Sequence, residues 1–542
     1  MSVPQSTIYI CKSIPLNNKY EHTYWFPDVE TQFNFFVDRS AFRQTGYTYL
    51  RKTWSIKIGV GMETASAWSY LFFQNSTLGK VYYYFINSIE YINDNTVELF
   101  LELDVMQTYL FDWNLLPSFV ERCHVENDTI GAHTVDEGLE LGEFIINDIR
   151  YTSILDDLCL MILATENPNV QSIENRSQCF GTYIGNSFVG MGLYAVQKSD
   201  FPHFAEQLLT LSDLGLIDCI VTMWLYPKHL IQLMEGQSWD GGSFAKQVQE
   251  NEEIRFALDD LNATGALDGY TPRNAKLYTY PFNFMYVSNG NGAAATFRFE
   301  RFEDSNPNFR LQGSASPEGG VRLIPEKYNQ SENAYIYPNT DEGLTIDGYP
   351  TCVWNADAYK IWLAQNQNQH AMSMATGQLQ IAAGAAGVVG SAMMLNAEGA
   401  VQGMQTAING ALQIANIVAQ KKDAAIQPPQ ARGSFSSNIN VAHNNQHFSF
   451  YRKSVCAEMA EIIDKYFDMY GYKISRYMTP NIRTRTNHTY IKTIGCQLNG
   501  EFCNEDRVKI CNNFDRGITF WCYDKSFCDY SANNPPLPPD YN

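Results

Sequence analysis

The sequence predicts a β-rich, mixed α/β fold of several domains, interrupted by one apolar helical hairpin. Three observations support this. Aromatic residues make up 14% of the chain, including 33 Tyr, and they concentrate in short alternating segments typical of strands. Amphipathic helical periodicity is confined to a few segments. Residues 371–420 contain a single charge, Glu398, although the whole chain carries a formal charge of −20.

The clearest strand pattern predicts a β-hairpin. Lys80–Ile92 and Thr96–Val105 are rich in Tyr, Phe, Ile and Val, and Asn93-Asp94-Asn95 lies between them. Turn-forming residues between two such runs are typical of a hairpin. Comparable patterns predict strands at Thr48–Val60, Lys276–Val287 and Ala294–Phe302. Apolar residues at helical spacing predict helices at Phe201–Leu216, Phe244–Leu261 and Val455–Met469.

We divide the chain into five regions by composition and pattern. They are an N-terminal β-rich domain over 1–150, a middle mixed α/β region over 151–350, an apolar insertion with hinges over 351–430, a C-terminal domain over 431–530 and a Pro-rich extended tail over 531–542.

The apolar insertion predicts a helical hairpin rather than one membrane-spanning helix. Its uninterrupted apolar run, Ile381–Leu395, is fifteen residues long, whereas a simple span needs about 20. Turn-forming residues occur at Asn396–Gly399 and divide the stretch into the arms Met374–Leu395 and Ala400–Ala419. A helix of about 20 residues is about 30 Å long, close to the thickness of the hydrocarbon core of a bilayer.

The two arms provide two sets of candidate functional residues. Uncharged polar residues recur every three or four positions in the second arm and predict a pore-lining stripe. That stripe comprises Gln402, Gln405, Thr406, Asn409, Gln413, Asn416 and Gln420. The candidate membrane-active residues are Ile381, Val388, Val389, Met393, Met394, Leu395, Glu398, Val401, Met404, Ile408, Ile414 and Val418.

An alternative interpretation is an Ala/Gly-rich hairpin packed within a core or an oligomer interface, because short apolar runs are ambiguous. The flanking sequence favours an insertion. Gln365–Gln369 precedes the stretch, and Lys421, Lys422, Pro428 and Pro429 follow it. Polar and Pro-rich flanks are typical of hinges.

Composition excludes several classes of function. The pI near 4.9 argues against a nucleic-acid-binding surface, which is normally basic, but it is compatible with a conduit whose acidic wall repels phosphate. The 12 Cys form no C-x-x-C pair or zinc-like cluster, so we expect no cofactor. Residues 1–20 lack the apolar core of a signal peptide, which predicts synthesis in a cytoplasm.

Two kinds of motif contain residues suited to catalysis or to metal binding. Asp136-Glu137 and Asp341-Glu342 are each followed by Gly and Leu. Paired acids suggest glycosidase chemistry, but neighbouring strand residues point to opposite faces and the glycine predicts a turn. His443 and His447 have no third ligand nearby. The sequence therefore predicts no catalytic or metal-binding residue and no enzyme.

A basic island stands out in the acidic C-terminal region. It consists of Lys473, Arg476, Arg483 and Arg485. These residues predict contacts either with acidic surfaces of another subunit or partner protein, or with DNA phosphates in a bore. A basic ring would grip passing DNA, which favours the protein interface.

Several short motifs cluster at the two ends of the chain. The N-terminal motifs are Tyr24-Trp25-Phe26, Gln32-Phe33-Asn34-Phe35-Phe36, Glu102-Leu103-Asp104-Val105-Met106-Gln107-Thr108 and Thr134-Val135-Asp136-Glu137-Gly138-Leu139. The C-terminal motifs are Tyr470-Gly471-Tyr472-Lys473-Ile474, Pro480-Asn481-Ile482-Arg483-Thr484-Arg485 and Phe514-Asp515-Arg516-Gly517-Ile518-Thr519-Phe520-Trp521. In these motifs and their order, the two ends of the chain resemble the distal tail knob, or tail tube, proteins of small short-tailed phages of the picovirus type. No motif matches between 151 and 349.

This resemblance implies a structural, non-enzymatic virion protein at the distal end of the tail. It implies a homo-hexamer of β-barrel-type domains that form the wall of a tube, joined to lower collar or portal-side tail proteins. It also implies that hydrophobic loops plug the lumen and then penetrate the host cytoplasmic membrane as double-stranded DNA leaves. A tail-tip cell-wall hydrolase and a purely architectural virion component are the alternatives.

Overall fold

The computed structural model describes most of the chain outside the apolar insertion. The described residues are 6–47, 54–75, 79–152, 157–164, 166–167, 177–178, 182–184, 187–189, 191–213, 219–238, 245–251, 253–259, 261–290, 292–313, 320–328, 344–346, 351–355 and 447–538.

The described secondary structure is dominated by short strands. The strands are β1 Ser6–Lys12, β2 His22–Trp25, β3 Ser40–Tyr47, β4 Ser55–Ile58, β5 Trp68–Asn75, β6 Val81–Asn93, β7 Thr96–Leu103, β8 Trp113–Leu115, β9 Ser118–Cys123, β10 Phe144–Tyr151, β11 Leu158–Ala164, β12 Glu166–Asn167, β13 Ser177–Gln178, β14 Thr182–Ile184, β15 Ser187–Val189, β16 Gly192–Gln197, β17 Ile220–Pro227, β18 Ile231–Ser238, β19 Ala245–Asn251, β20 Glu253–Ala257, β21 Asn283–Ser288, β22 Ala294–Phe297, β23 Asn308–Gly313, β24 Val321–Glu326, β25 Leu344–Ile346, β26 Thr351–Asn355, β27 Ser449–Val455, β28 Tyr472–Met478, β29 His488–Ile494, β30 Leu498–Gly500 and β31 Ile518–Cys522. The α-helices are α1 Val29–Asp38, α2 Met62–Ala65, α3 Val105–Thr108, α4 Phe201–Asp213, α5 Ala457–Tyr470 and α6 Asn504–Arg516. Short 3₁₀ helices span Lys198–Asp200, Lys228–Leu230, Ala275–Tyr278 and Phe299–Arg301.

The chain divides into two compact units, each built from separate stretches of sequence. Unit 1 comprises 1–143, 266–282 and 455–542, and unit 2 comprises 144–265 and 283–454. Apart from 144–150 and 431–454, the N-terminal and C-terminal regions, which the sequence predicts as separate domains, thus belong to one unit. Their strands share one sheet, since the parallel pair β2 and β31 joins residues 22–25 to residues 519–522.

Unit 1 contains a six-stranded sheet in the order β3-β1-β5-β6-β7-β4 and a five-stranded sheet in the order β2-β31-β29-β9-β28. The predicted hairpin is confirmed, because β6 pairs with β7 and Asn93 lies opposite Thr96 across the turn. Residues of β7 alternate between buried and half-buried, as expected for a strand with one face on the core. Phe36, Phe72 and Tyr83 pack within this core.

Helix α5 confirms the prediction over Val455–Met469 with a shift of one or two residues at each end. Its buried side chains include Ala460, Ile463 and Phe467, which lie three and four positions apart. The helix ends at Gly471, whose φ is +64° and whose N–H donates to the Phe467 carbonyl. A Cβ at Gly471 would lie only 2.3 Å from the Cys123 carbonyl oxygen, so the position requires glycine.

Unit 2 contains a six-stranded sheet, β18-β19-β16-β11-β17-β26, and two four-stranded sheets, β10-β27-β21-β22 and β20-β23-β24-β25. All seven residues of β11 are buried, because this strand is central and flanked by β16 and β17. Phe201, Phe204 and Leu208 of α4 join the same core at helical spacing. The helix predicted from Phe201 is therefore confirmed.

The β-rich, mixed character predicted from the sequence is confirmed, but one helix prediction is wrong. Phe244–Leu261 forms β19 and β20 instead of a helix. Strand β19 pairs with β16, and β20 pairs with β23. Tertiary pairing overrides the local pattern here. No helix among the described residues is long and apolar enough to cross a membrane.

The described part of the Pro-rich tail packs against unit 1. Asn534 is buried, and its Oδ1 accepts the Asn487 N–H at 2.8 Å while its Nδ2 donates to the His488 carbonyl at 2.9 Å. Leu537 donates its N–H to the Thr484 carbonyl at 2.9 Å. These hydrogen bonds hold 534–537 in an extended path along the segment that precedes β29.

Candidate functional site

The predicted membrane-active loop and pore-lining stripe lie between residues 356 and 446, outside the described residues. Both sets stay predictions. Asp341, Glu342 and His443 also lie outside the described residues. The basic island, the Asp136-Glu137 pair and His447 are described, and each is located below.

Glu137 belongs to a buried charge cluster in unit 1, which we call the Glu137 cluster: Glu137, Arg122 and Lys276. The carboxylate forms ion pairs with both cations, and the three side chains are 1%, 10% and 2% exposed. The Lys473 N–H also donates to Glu137 Oε1 at 2.9 Å. Burial lowers the pKa of Lys276, and the neighbouring carboxylate opposes that shift. Because its oxygens are occupied by two cations and one amide, Glu137 has a structural role.

Asp136 points away from its neighbour, so the two acids do not form a paired carboxylate site. Its side chain is exposed, and Oδ1 accepts the Gly138 N–H at 3.0 Å. Gly138 has a φ of +67°. This is the turn that the glycine predicted, with one carboxylate buried and the other in solvent.

Arg485, one of the candidate contact residues, is buried within unit 1. It is 6% exposed, its Nη2 lies 3.4 Å from Asp128 Oδ2, and its Nη1 donates to the Asn534 carbonyl at 3.2 Å. Tyr472 donates its hydroxyl to the same carboxylate at 2.6 Å. A guanidinium engaged inside the unit cannot reach a partner protein or DNA.

The other three members of the basic island remain accessible to different extents. Arg483 is half-buried and its guanidinium lies 3.9 Å from the ring centre of Trp25, which is a cation–π contact. Lys473 is half-buried on β28, and Arg476 is exposed on the same strand. Strand β28 is an edge strand of the five-stranded sheet. Lys473 and Arg476 are therefore placed where another protein surface can reach them.

A row of exposed apolar side chains crosses the same sheet; we call it the Phe119 row. Phe119 on β9 lies opposite Tyr477 on β28 and opposite Ile494 on β29. These residues are 38%, 64% and 57% exposed. Contiguous exposed apolar residues of this size are typical of interaction surfaces. Sequence reasoning missed the row because strands more than 350 positions apart bring it together, and no local pattern marks it.

Sequence reasoning also missed a buried histidine pair in unit 1. Nε2 of His124 and Nε2 of His488 lie 3.1 and 2.8 Å from the same acceptor, the Asp468 carbonyl oxygen. The Tyr490 N–H donates to His124 Nδ1 at 2.8 Å, so that nitrogen carries no proton. Burial lowers the pKa of His488 to about 4 and that of His124 well below its usual value. Both rings are neutral at pH 7.

The carboxylate of Asp468 lies next to this pair and is held by Arg273 and Asn274. It forms an ion pair with Arg273, and Asn274 Nδ2 donates to it at 2.8 Å. Burial raises the pKa of Asp468 against these two favourable contacts. The arrangement joins α5 to the 273–274 segment of the same unit.

The zinc-like spacing of His443 and His447 receives no support. His447 packs edge-to-face against Tyr151, with ring centres 4.9 Å apart. Within the ranges that the structure describes, no group of three His, Cys, Asp or Glu residues is arranged to hold a metal ion.

Comparison with known proteins identifies relatives of this chain. Residues 244–535 match the family model described as Bacillus phage phi29, tail knob protein gp9, C-terminal domain. Residues 4–114 match the model described as Caudoviral major tail protein N-terminus. The match to the first model spans more than half of the chain.

Full-length relatives and a solved structure agree with the family models. Tail knob protein gp9 of Bacillus phage phi29 is 25% identical, and the match covers 98% of each chain. Tail knob protein gp9 of Bacillus phage B103 is 24% identical over 97% of this chain and 98% of its own. The tail knob protein gp12 of bacteriophage C1 matches with a TM-score of 0.68 at 13% identity, covering 98% of this chain and 100% of that one. The last likeness shows a shared fold.

Proposed function

This chain belongs to the family of tail knob proteins defined by the C-terminal domain of phi29 gp9, and from that premise we propose that six copies form a tube at the distal end of the tail. The protein is a structural component of the tail of a short-tailed phage, as the terminal motifs predicted. In the proposal the tube joins the lower collar or portal-side tail proteins, and double-stranded DNA passes through its lumen. The subunit is synthesised in the host cytoplasm and is not an enzyme.

The proposed membrane activity is carried by one observation, the near absence of charge over 371–420 in a chain of net charge −20. A stretch this apolar needs burial in protein or lipid. In the proposal these loops plug the lumen before infection. They then enter the host cytoplasmic membrane, with the stripe from Gln402 to Gln420 facing water.

The dimensions of such a pore are compatible with duplex DNA. Six copies with two helices each provide twelve helices, and at about 10 Å spacing these form a ring about 38 Å in centre-line diameter. Subtracting one helix width leaves about 28 Å, wider than a duplex of about 20 Å. Six helices would leave only about 9 Å. Both arms of each hairpin therefore line the proposed pore.

The Phe119 row and the accessible cations of β28 supply the proposed contacts between subunits. Lys473 and Arg476 lie on the strand that carries Tyr477. An apolar centre with charged neighbours is the usual composition of a protein interface. The acidic surface that the net charge implies offers the complementary charge on the adjacent subunit.

Electron microscopy of the purified protein tests the ring. Arg476→Glu and Tyr477→Asp reduce ring formation if β28 contacts a neighbour. Ile462→Asp, at a 54% exposed position on α5, is the matched control and leaves rings intact. If the Arg476→Glu variant forms intact rings but retains DNA differently, Arg476 contacts DNA in the bore and does not contact a neighbouring subunit. Unchanged rings in both β28 variants would remove the strand from the interface.

Leakage of a trapped dye from liposomes tests the membrane loop. Val388→Asp and Ile408→Asp, at loop positions, abolish leakage because a charged side chain in the bilayer interior is costly. The Ile462→Asp variant leaks like the unmodified protein. Equal leakage from all three variants would refute the membrane role and favour a purely architectural component. In planar bilayers, conductance too small for twelve helices would refute the pore dimensions.

Glu398 adds a pH dependence to the proposal. A carboxylate at the tip of the hairpin must cross the bilayer, and protonation near its reference pKa of about 4.3 or above lowers that barrier. Acid therefore promotes insertion. Glu398→Gln leaks equally at neutral and acidic pH, and an unchanged pH dependence in this variant would refute the role of Glu398.

The alternative of a cell-wall hydrolase is tested with purified peptidoglycan. Glu137 is the buried member of the acid pair that the structure describes. Its carboxylate forms ion pairs with Arg122 and Lys276. We expect no release of soluble fragments by the protein. Release that is lost in Asp136→Asn would instead establish the hydrolase.

A further inference from the structure

A cavity of about 370 Å³ opens in unit 2. Its volume lies within the range of small-molecule sites, about 300–1,000 Å³. The cavity lies between the C-terminal end of β10 and the edge strand β20, beside the 3₁₀ helix Lys228–Leu230. The Glu137 cluster does not contribute to it.

The inner wall of the cavity is apolar and rigid. It is formed by Ile254 and Phe256 of β20 and by Leu311 of the neighbouring strand β23. The Phe256 ring stacks on Phe309 with ring centres 6.2 Å apart and an interplanar angle of 25°. Pro227, at the end of β17, completes this wall. A flat aromatic surface fixed by a second ring is ready to receive a planar or ring-shaped group without rearrangement.

Tyr151, at the end of β10, also lines the cavity. It is 58% exposed, although its ring is held edge-to-face by His447. An exposed aromatic ring that is fixed in orientation loses little conformational entropy when it contacts a ligand. Together Tyr151 and Phe256 place two aromatic rings on the lining of one cavity.

The rim carries three ionisable groups, of which one acid has no counter-charge. Arg150 is paired with Asp148 at 2.6 Å, and His229 lies 3.2 Å from Asp157. Asp259 is exposed and accepts a hydrogen bond from Asn306 Nδ2 at 3.2 Å. Among the residues that the structure describes, no Lys or Arg forms an ion pair with Asp259. The rim therefore accepts hydroxyl or ammonium donors and repels anions.

We propose that this cavity binds one ring of an uncharged or amino sugar. The C–H face of a pyranose packs on the aromatic wall, and hydroxyl groups at its edge donate to the Asp259 carboxylate. His229, also on the lining, offers a further hydrogen-bonding group. The charge of Asp259 repels an anionic sugar, and a purely apolar ligand supplies no further donor to this carboxylate.

Saturation-transfer NMR on the full-length protein tests this site. The probes are methyl α-D-glucopyranoside, glucosamine, glucose 1-phosphate and p-cresol as an apolar control. We expect saturation transfer to the first two sugars and none to glucose 1-phosphate. Asp259→Asn weakens binding about tenfold, since a hydrogen bond to a charged group contributes about 1.5 kcal/mol or more. Tyr151→Ala, at an exposed position where folding is not at risk, also weakens it.

Asp304→Asn provides the matched control. Asp304 is an acid of unit 2 that pairs with Lys327 at 2.9 Å and is not part of the cavity lining. Sugar binding is unchanged in this variant. Absence of transfer to either sugar, equal transfer to glucose 1-phosphate, or equal affinity in Asp259→Asn would each overturn the proposal. Binding of p-cresol alone would likewise overturn it and assign the cavity to an apolar group.

Discussion

Units 1 and 2 are stabilised by different balances of polar and apolar contacts. Unit 1 buries the Glu137 cluster, in which no side chain is more than 10% exposed. In unit 2, the ion pairs among the described residues join side chains that are each at least 23% exposed. Its central strand β11 is instead buried along its whole length with apolar residues and a cysteine.

This contrast predicts how the stability of each unit responds to substitutions and to pH. Apolar burial is non-directional and scales with area, so a core such as that of unit 2 loses stability in proportion to the volume removed. A buried charge depends on one particular partner, and removing that partner leaves an uncompensated ion. Unit 1 is therefore the more sensitive to single polar substitutions and to pH.

The largest effect is expected for Glu137→Ala. The change leaves Arg122 and Lys276 buried without a counter-charge, and we expect a loss of about 4 kcal/mol in the free energy of unfolding. Denaturant titration measures the loss, and hydrogen exchange locates it in unit 1. Glu140→Ala, at an exposed position nearby, is the control and stays within about 0.5 kcal/mol of the unmodified protein. Similar small effects of both variants would show that the cluster adds nothing to unit 1.

Ile162→Ala tests how much apolar burial stabilises unit 2. Ile162 is fully buried at the centre of β11, and its truncation costs about 3.5 kcal/mol through lost burial and a residual cavity. Hydrogen exchange should increase in peptides of unit 2, and the loss should not vary with pH. Ile462→Ala on α5 removes the same atoms from an exposed site and costs little. Equal costs for the two variants would contradict the assigned core.

The histidine pair predicts a difference in acid sensitivity. Burial lowers the folded-state pKa of His488 from 6.5 to about 4, so the unfolded chain binds the proton first. The stability that this neutral ring contributes is complete above pH 6.5 and is lost as the pH falls toward 4. From pH 7 to 4 the unmodified protein therefore loses about 3 kcal/mol relative to His488→Gln.

Parallel denaturant titrations of the unmodified protein and His488→Gln at several pH values measure this difference. Comparing the two proteins is necessary because burial raises the pKa of Asp104 to about 6, which acts in the opposite direction over the same range. His203→Gln, on helix α4 of unit 2, serves as the control. If the stability curves of the unmodified protein and His488→Gln stay parallel, His488 is not a buried neutral group.

The smallest effect concerns the start of α1. Asp28 accepts the Thr31 N–H at 2.7 Å and caps the helix, so Asp28→Ala costs about 1 kcal/mol. Asp38→Ala, at the last residue of the same helix, removes a negative charge near the negative end of the helix dipole and is neutral or slightly stabilising. Thermal unfolding distinguishes the two variants. Equal shifts in Tm would show that the cap contributes nothing.

The elements predicted correctly from sequence are those whose pattern is local. The β6–β7 hairpin and helices α4 and α5 have turn residues or helical spacing within a single segment. Phe244–Leu261 shows the limit of this approach. Its apolar spacing fits a helix, yet pairing with β16 and β23 makes it two strands.

The same distinction between local and tertiary information applies to the candidate functional residues. The apolar stretch from Ile381 to Leu395 is evident in the sequence because it requires no partner to be recognised. Whether each charged residue is buried or exposed is not evident from the sequence, because it depends on which residues lie nearby in space. Arg485 was grouped with Arg476 by sequence, but one is buried against Asp128 and the other is exposed on an edge strand.

The sequence by itself determined the β-rich class, the local hairpin and helices, the apolar insertion and the family resemblance, because each depends on residues close together in the chain or on motifs in order. Tertiary structure alone decided that the two ends form one unit, that Glu137 is a structural ion, and that Phe119, Tyr477 and Ile494 form one row. Those features join residues up to hundreds of positions apart. No local periodicity encodes such contacts, since they arise only when strands pair and a core closes.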